Sequence, residues 1–446
     1  MSTAVRPTAG DSDLPAGRVH DILRAHMLAD GFDLVLDLET SLGTHVVDLR
    51  DGTVYLDMFG FFASSALGMN HPALADDAQF RDELATAAIN KPSNSDVYTV
   101  PMARFVDTFA RVLGDPALPH LFFVDGGTLA VENALKVAFD WKSRRNEAAG
   151  RDPALGTRVL HLTEAFHGRS GYTLSLTNTD PAKIARFPKF DWPRIDAPYL
   201  ADGRDVAAAE DLALEQARRA FAEHPHDIAC FLAEPIQGEG GDHHFRPEFF
   251  RRMHALCVEN DALFIFDEVQ TGCGLTGTAW AYQQLGVTPD VVSFGKKTQV
   301  CGIMAGGRVD EIHDNVFEVS SRINSTWGGN LTDMVRARRI LEVIDEDRLI
   351  DRARLCGAHL LGRLANLAAT HDAVTEPRGR GLMCAITLPT PEFRDRVLIE
   401  LREREHVLFL ATGERGIRFR PPLTVTIAEL DAAVDAIDRV LVRTTP

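Results

Sequence analysis

Cysteine is scarce in this chain. Six stand among 446 residues, at Cys230, Cys257, Cys273, Cys301, Cys356 and Cys384, with no Cys-x-x-Cys pair and no metal-ligand spacing. That pattern excludes a disulfide-stapled scaffold or a zinc module, and it suits buried thiols in a reducing cytoplasm. Long apolar runs are missing as well. No stretch approaches the roughly 18 apolar residues of a membrane span, and the opening MSTAVRPTAGDSDLPAG has no apolar signal core. Neither a membrane nor an export route is therefore expected. Positive charge is in deficit: 47 Lys and Arg face 64 Asp and Glu, a net charge of −17. Such a surface argues against nucleic acid as a partner. The dinucleotide fingerprint GxGxxG with a later acidic residue is absent. A P-loop fails too, because Asp290 stands where that motif needs the glycine five residues before Gly295-Lys296.

What is present is the composition of a globular protein, 45% hydrophobic and 25% charged, at a length that predicts two or three domain-sized units. Residues 1–16 suggest a loose polar arm. Val19, Ile22, Leu23 and Met27 then fall on one helical face. Over residues 33–58 the pattern is short strands, with Asp51-Gly52 turning HVVDLR back on TVYLDMF. From about residue 75 strands and helices alternate. LFFV (121–124) leads through Gly126-Gly127 into a helix with Val131, Ala134, Leu135 and Ala138 on its inner face. RVLHL (158–162), IACFLAEP (228–235) and ALFIFDEV (262–269) follow, the last after the helix of PEFFRRMHALCVEN, and DVVSF (290–294) closes the series. One helix is expected around residues 278–285, between the last two strands.

This alternation predicts an α/β fold, a mainly parallel sheet flanked by helices. Beyond residue 330 the character changes to helices near 331–345, 347–370 and 391–404, a strand at 381–387, and a final helix opened by the capping-box spacing of Thr426 and Glu429. We expect a large domain at about 75–328, and a smaller α+β domain built from 1–74 and 329–446.

Two adjacent lysines, Lys296 and Lys297, follow the apolar run Val291–Phe294. A buried ammonium must be paired or lose its proton, so lysine at such a strand end is either wetted or chemical. Asp267 ends another buried strand 29 residues earlier. In a βαβ unit both would point to the crevice outside the carboxyl ends of the strands, where ligands collect in open α/β sheets. A lysine to hold an aldehyde and an acid to keep a pyridine nitrogen protonated are the pair that pyridoxal phosphate requires. Gly126-Gly127-Thr128, between strand and helix, offers free N–H groups and a helix dipole to a phosphate. His224 and His226, and His243-His244, lack a third ligand at any metal spacing and are expected in loops.

With these features in order, the chain resembles the class III (ω-amino acid) aminotransferases of fold type I, and within them the lysine-specific branch. The motifs are FFVDGGTLAVENALK, EAFHGRSGYTLSLTN, AEPIQGEGGD, FDEVQTGCG, SFGKKTQVCG, NSTWGGN and IRFRPPL, and the likeness runs from about residue 18 to 443. The wider family usually has Ser where this chain has Gly126, and a glycine-rich run in place of Lys297-Thr298-Gln299; both departures look like traits of that branch. The resemblance implies that pyridoxal 5'-phosphate is carried on Lys296, with Lys297 non-catalytic. It places Asp267 at the ring nitrogen, Gln270 toward the ring hydroxyl, Val269 beneath the ring, and Phe166 on the other face with His167 beside it. Gly127 and Thr128 would bind the phosphate. Thr326, with Asn324 near it, would complete that site from a neighbouring subunit, which implies a homodimer with shared sites.

For substrates the resemblance implies L-lysine and 2-oxoglutarate in a ping-pong exchange that yields 2-aminoadipate 6-semialdehyde and glutamate. Arg169 would grip the distal carboxylate in both halves. Glu239 would mask Arg418 while lysine is bound and release it to the α-carboxylate of 2-oxoglutarate. Ornithine and 4-aminobutyrate are the rival donors within the family, since an aminotransferase for either would show the same cofactor residues. A nicotinamide-dependent dehydrogenase is the rival from another class, and the missing fingerprint weighs against it.

Overall fold

The computed structural model describes residues 14–444. Most of the expected polar arm lies outside the described residues, and Ala16–Arg18 form a single 3-10 turn leading into the helix Val19–His26. That helix has the expected apolar face, yet none of its residues is buried.

A seven-stranded sheet forms the centre, in the order His120–Val124, Cys301–Ala305, Val291–Phe294, Leu263–Asp267, Ile228–Ala233, Arg158–Leu162, Arg194–Ile195. Five of these strands run parallel in succession. Cys301–Ala305 is antiparallel to both its neighbours, so His120–Val124 again points the parallel way. The series therefore does not close at Phe294 as its apolar pattern suggests. The chain turns through Lys296–Thr298 and returns in Cys301–Ala305. The return strand was obscured because its residues, CGIMA, include two small ones and no β-branched pair.

The helix expected at 278–285 is also absent. That segment makes only a 3-10 turn, Ala281–Gln284. Its backbone is captured instead by the buried carboxylate of Glu268, which accepts from the N–H groups of Ala281 at 3.0 Å and Tyr282 at 2.8 Å. An acceptor from just past the end of the preceding strand has taken the N–H groups that would open a helix there.

Around the sheet the helical readings hold more closely. Gly127–Ala148 buries Val131, Ala134, Leu135 and Ala138, the expected face. Pro247–Glu259 precedes the strand Leu263–Asp267. Past residue 330 the helices are Leu331–Glu346, Leu349–Thr370, Pro391–Glu403 and Ile427–Arg443. The last opens on the Thr426–Glu429 capping box.

The strand expected near 381–387, Met383–Thr387, is one of four antiparallel strands, with Thr375–Arg380, Gly416–Phe419 and Leu410–Thr412. The hairpin His45–Val47 with Val54–Asp57 gains Val407–Leu408 as a parallel third strand. That pairing brings residues from the two halves of the chain into one sheet.

Candidate active site

Every parallel strand of the central sheet ends at the same edge, and the chemistry gathers there. Asp267 is the last residue of its strand and is buried. Ser293 on the neighbouring strand stands opposite it in register, so Lys296, just past that strand, emerges at the same edge. The Asp267 carboxylate is held from three sides: the His167 ring at 2.8 Å, the Val269 N–H at 3.0 Å and the Ser293 hydroxyl at 3.3 Å. Nε2 of His167, on the far side of its ring, is buried and has no partner among the described residues.

The two lysines separate cleanly. Lys297 is buried and donates to the carbonyls of Ser65 at 2.6 Å and Pro421 at 3.4 Å. It ties the loop before residue 66 to the segment after Gly416–Phe419. Lys296 adopts φ = 53°, a left-handed backbone that side chains rarely take up. Burial pushes its amine down to about 8, with Arg418 adding to the shift while Asp267 and Glu234 oppose it. An amine whose proton is held this much less tightly, near a carboxylate at the open end of a sheet, is placed to give up that proton and then accept another.

Gly126 caps the 22-residue helix Gly127–Ala148 with φ = 105°, a conformation suited to glycine. A Cβ on Gly127 would come within 2.9 Å of Val269 Cγ1. The first N–H groups of the helix lack intrahelical acceptors and are the natural seat for an anion. The Thr128 hydroxyl is already engaged by Ser170 at 2.9 Å and Thr173 at 2.7 Å.

Beside this edge lies a polar cleft of about 910 Å³ lined by Arg169, Lys183, Glu239 and Arg418, among others. Arg418, in the strand Gly416–Phe419, is buried, donates from Nη1 to the Gly238 carbonyl at 3.1 Å, and leaves Nε without a partner among the described residues. Burial, with the adjacent Arg420 guanidinium adding to it, lowers its pKa to about 10. Glu239 follows Gly238 directly, yet its carboxylate is paired with Lys183 and accepts from the Thr179 hydroxyl at 3.3 Å. Gln270 accepts from Arg420 Nε at 3.0 Å, and Arg420 makes a buried two-point ion pair with Asp242.

The chain matches the class-III aminotransferase family profile over residues 29–441. It is 67% identical to an L-lysine-epsilon aminotransferase of Mycobacterium tuberculosis over 441 residues, 98% of this chain and 97% of that one. An L-lysine-epsilon aminotransferase of Amycolatopsis lactamdurans is 60% identical over 95% of this chain and 96% of its own. The solved lysine aminotransferase from M. tuberculosis in the internal aldimine form superposes with a TM-score of 0.95 at 68% identity, covering 96% of this chain and 99% of that one. The chain belongs to the class-III aminotransferases. It is an aminotransferase of fold type I that takes amino-acid and keto-acid substrates, and its cofactor is pyridoxal 5'-phosphate.

The residues present fit that cofactor. A buried acid at the sheet edge, an amine depressed toward neutrality, a glycine pair with no room for Cβ at Gly127, and a free helix start meet the needs of ring, aldehyde and phosphate in turn. For a class-III aminotransferase the sequence reasoning overlooked Glu234. It is buried and accepts from the N–H groups of Phe166 and Gly238, each at 3.0 Å. One carboxylate thus positions the Phe166–Arg169 turn and the loop whose carbonyl Arg418 grips. Its place in AEPIQGEGGD was the available signal, a carboxylate directly after a wholly apolar strand.

Asn324 and Thr326 make no contact with Asp267, Lys296 or the Gly127 turn among the hydrogen bonds of the described residues. Both are exposed, on a segment pinned where Ser95 Oγ donates to the Ser325 carbonyl at 2.5 Å and Asn94 to that of Gly329 at 2.8 Å. His243 and His244 form a two-residue strand, not a loop; His243 stacks on Tyr199 with ring centroids 3.6 Å apart. Among the described residues no helix is long and apolar enough to cross a membrane.

Proposed function

We propose that the enzyme transfers the terminal amine of L-lysine to 2-oxoglutarate, giving 2-aminoadipate 6-semialdehyde and L-glutamate by a ping-pong exchange. The observation that carries this reading is the charge arrangement in the cleft. Arg418 is buried with an open Nε, and Glu239, the carboxylate able to cover it, begins one residue beyond the carbonyl that Arg418 holds. Relatives named for lysine's ε-amine, similar over nearly the full length, support it.

When bound, pyridoxal phosphate supplies an aldehyde that captures the amine and a cationic ring that takes up electrons as a C–H proton leaves. The chain's own residues do the rest. Asp267, fixed by His167, Ser293 and the Val269 N–H, would hold the ring nitrogen and favour its protonated form. Val269 and Phe166 would bracket the ring, Gln270 would reach its hydroxyl side, and the N–H groups of Gly127 and Thr128 would take the phosphate. Lys296 Nζ, neutral once its proton is lost, takes the proton from the terminal carbon of the donor and returns it on the cofactor side.

Arg169 grips the carboxylate farthest from the reacting carbon in both halves. Lysine brings no second carboxylate, so Glu239 turns onto Arg418 and neutralises it. With 2-oxoglutarate, Glu239 withdraws and Arg418 takes the α-carboxylate in a two-point contact. The exchange avoids a desolvated, unpaired guanidinium in either half.

The chain would work as a homodimer with shared sites, Thr326 and Asn324 completing the partner's phosphate seat; their exposure on a pinned segment supports this. Six unpaired thiols, five of them buried, support a cytoplasmic setting. The test is a donor screen with 2-oxoglutarate, comparing initial rates on lysine, ornithine and 4-aminobutyrate and trapping the cyclised product with an aminobenzaldehyde dye. Lysine should lead with a trapped cyclic imine. Faster turnover of ornithine or 4-aminobutyrate would refute the assignment.

A further inference from the structure

Among the charged groups of the cleft, Glu239 has both Lys183 and Arg418 along the same wall. Arg169 lines the cleft with them, and the Glu239 carboxylate is found on Lys183. We propose that Lys183 is the second seat of Glu239, a positioning residue that holds the carboxylate off Arg418 and so keeps the keto-acid site open. This rests on the Glu239–Arg418 exchange argued above and adds the place to which Glu239 withdraws.

Glu239 can alternate only by turning its side chain, because its backbone is fixed on both sides. The Gly238 carbonyl accepts from Arg418 at 3.1 Å and from the Thr412 hydroxyl at 2.7 Å, and the Glu239 carbonyl accepts from the Gly413 N–H at 2.9 Å. The flanking glycines leave no slack: a Cβ at Gly238 would stand 2.4 Å from Gln270 Oε1, and one at Gly240 would stand 2.1 Å from the Glu164 carbonyl oxygen. Rotation about side-chain bonds is fast and costs little.

Lys183 sits on the short helix Pro181–Ile184, with its amine 5.9 Å from the centre of the Phe166 ring. It is about a quarter exposed, as is Glu239. Neither group is fixed as deeply as Arg418, so the ion pair can open. The Thr179 hydroxyl, 3.3 Å from the same carboxylate oxygen, gives this seat a second donor.

Charge balance gives the seat its function. A dicarboxylate keto acid occupies Arg169 and Arg418, and Glu239 needs another cation, which Lys183 provides. With a monocarboxylate donor Glu239 moves to Arg418. Burial then lowers the pKa of the unpaired Lys183 amine, with Arg169 and Arg418 adding to the shift and Asp180 opposing it. The two seats therefore compete for one acid, and the strength of the Lys183 seat sets how readily Arg418 opens.

The experiment measures both half-reactions separately by stopped flow on the holoenzyme, for wild type, Lys183→Met, Lys183→Arg, Glu239→Gln and the double variant Lys183→Met/Glu239→Gln. Lys183→Met should lower kcat/KM for 2-oxoglutarate relative to that for lysine by about fivefold or more, chiefly through KM. Lys183→Arg should keep the wild-type ratio. The double variant should recover 2-oxoglutarate binding, because no acid remains to occupy Arg418. An unchanged ratio in Lys183→Met, with donor choice altered in Glu239→Gln, overturns the Lys183 seat and leaves the exchange standing. No change in Glu239→Gln overturns the exchange and the seat together.

Discussion

Glu234 shows how one side chain couples function to stability. Burial pushes its carboxyl up to about 7 from an ordinary 4.5; Asp267 adds to the shift, and His167 opposes it. The folded state therefore holds this proton more tightly than the unfolded chain. The resulting stabilisation is complete below about pH 4.5 and is lost as pH rises through about 7. Glu234→Gln, which cannot ionise, should remove one downward contribution, so its urea midpoint should gain more, or lose less, with rising pH between those limits than that of the wild type. Glu268, likewise pushed to about 7 by burial, leaves a second downward contribution in place, and His161, His243 and His244, pushed down to about 3 by burial, contribute the opposite slope in both proteins. An unaltered slope would mean that Glu234 is ionised throughout.

At the same scale, Asp267, Lys296 and Gly127 were legible because each breaks a local rule: charge at the end of an apolar strand, or glycine at a helix start. The contrast between Lys296 and Lys297 was legible only through resemblance. Nothing in the sequence shows that Lys297 Nζ finds the Ser65 and Pro421 carbonyls, from segments more than a hundred residues away on either side.

Among elements, hydrophobic pattern located the strands with unbroken apolar runs, such as Ile228–Ala233 and the four residues before Asp267 in Leu263–Asp267, both strands being buried at every position. It failed where tertiary partners decide. Cys301–Ala305 is a strand because two neighbours flank it. Residues 278–285 are not an α-helix because Glu268 takes the N–H groups of Ala281 and Tyr282. The short strands Val407–Leu408 and Leu410–Thr412 exist only through pairing with distant segments. A sequence can announce an apolar face, but it does not name the acceptor that reaches a given N–H.

For the whole molecule, the proposed shared site makes a sharp demand. Within one chain, Thr326 and Asn324 are exposed. No single-chain sequence pattern could place them; resemblance alone suggested that a partner uses them. If it does, Lys296→Ala and Thr326→Ala proteins, each impaired alone, should complement after mixing and refolding. One site of each mixed dimer would then combine an intact Lys296 with an intact Thr326 from the other chain. Statistical mixing puts half the dimers in that class, so about one quarter of all sites should recover. Activity no higher than the sum of the two separate proteins would contradict shared sites.

The account depends on Lys296, not its neighbour, being the amine joined to the cofactor at the Asp267 edge. Borohydride reduction of the holoenzyme followed by peptide mapping tests this most directly. The pyridoxyl group should appear on Lys296, persist in Lys297→Ala and vanish from Lys296→Ala. A label on Lys297, or one that survives Lys296→Ala, would contradict it.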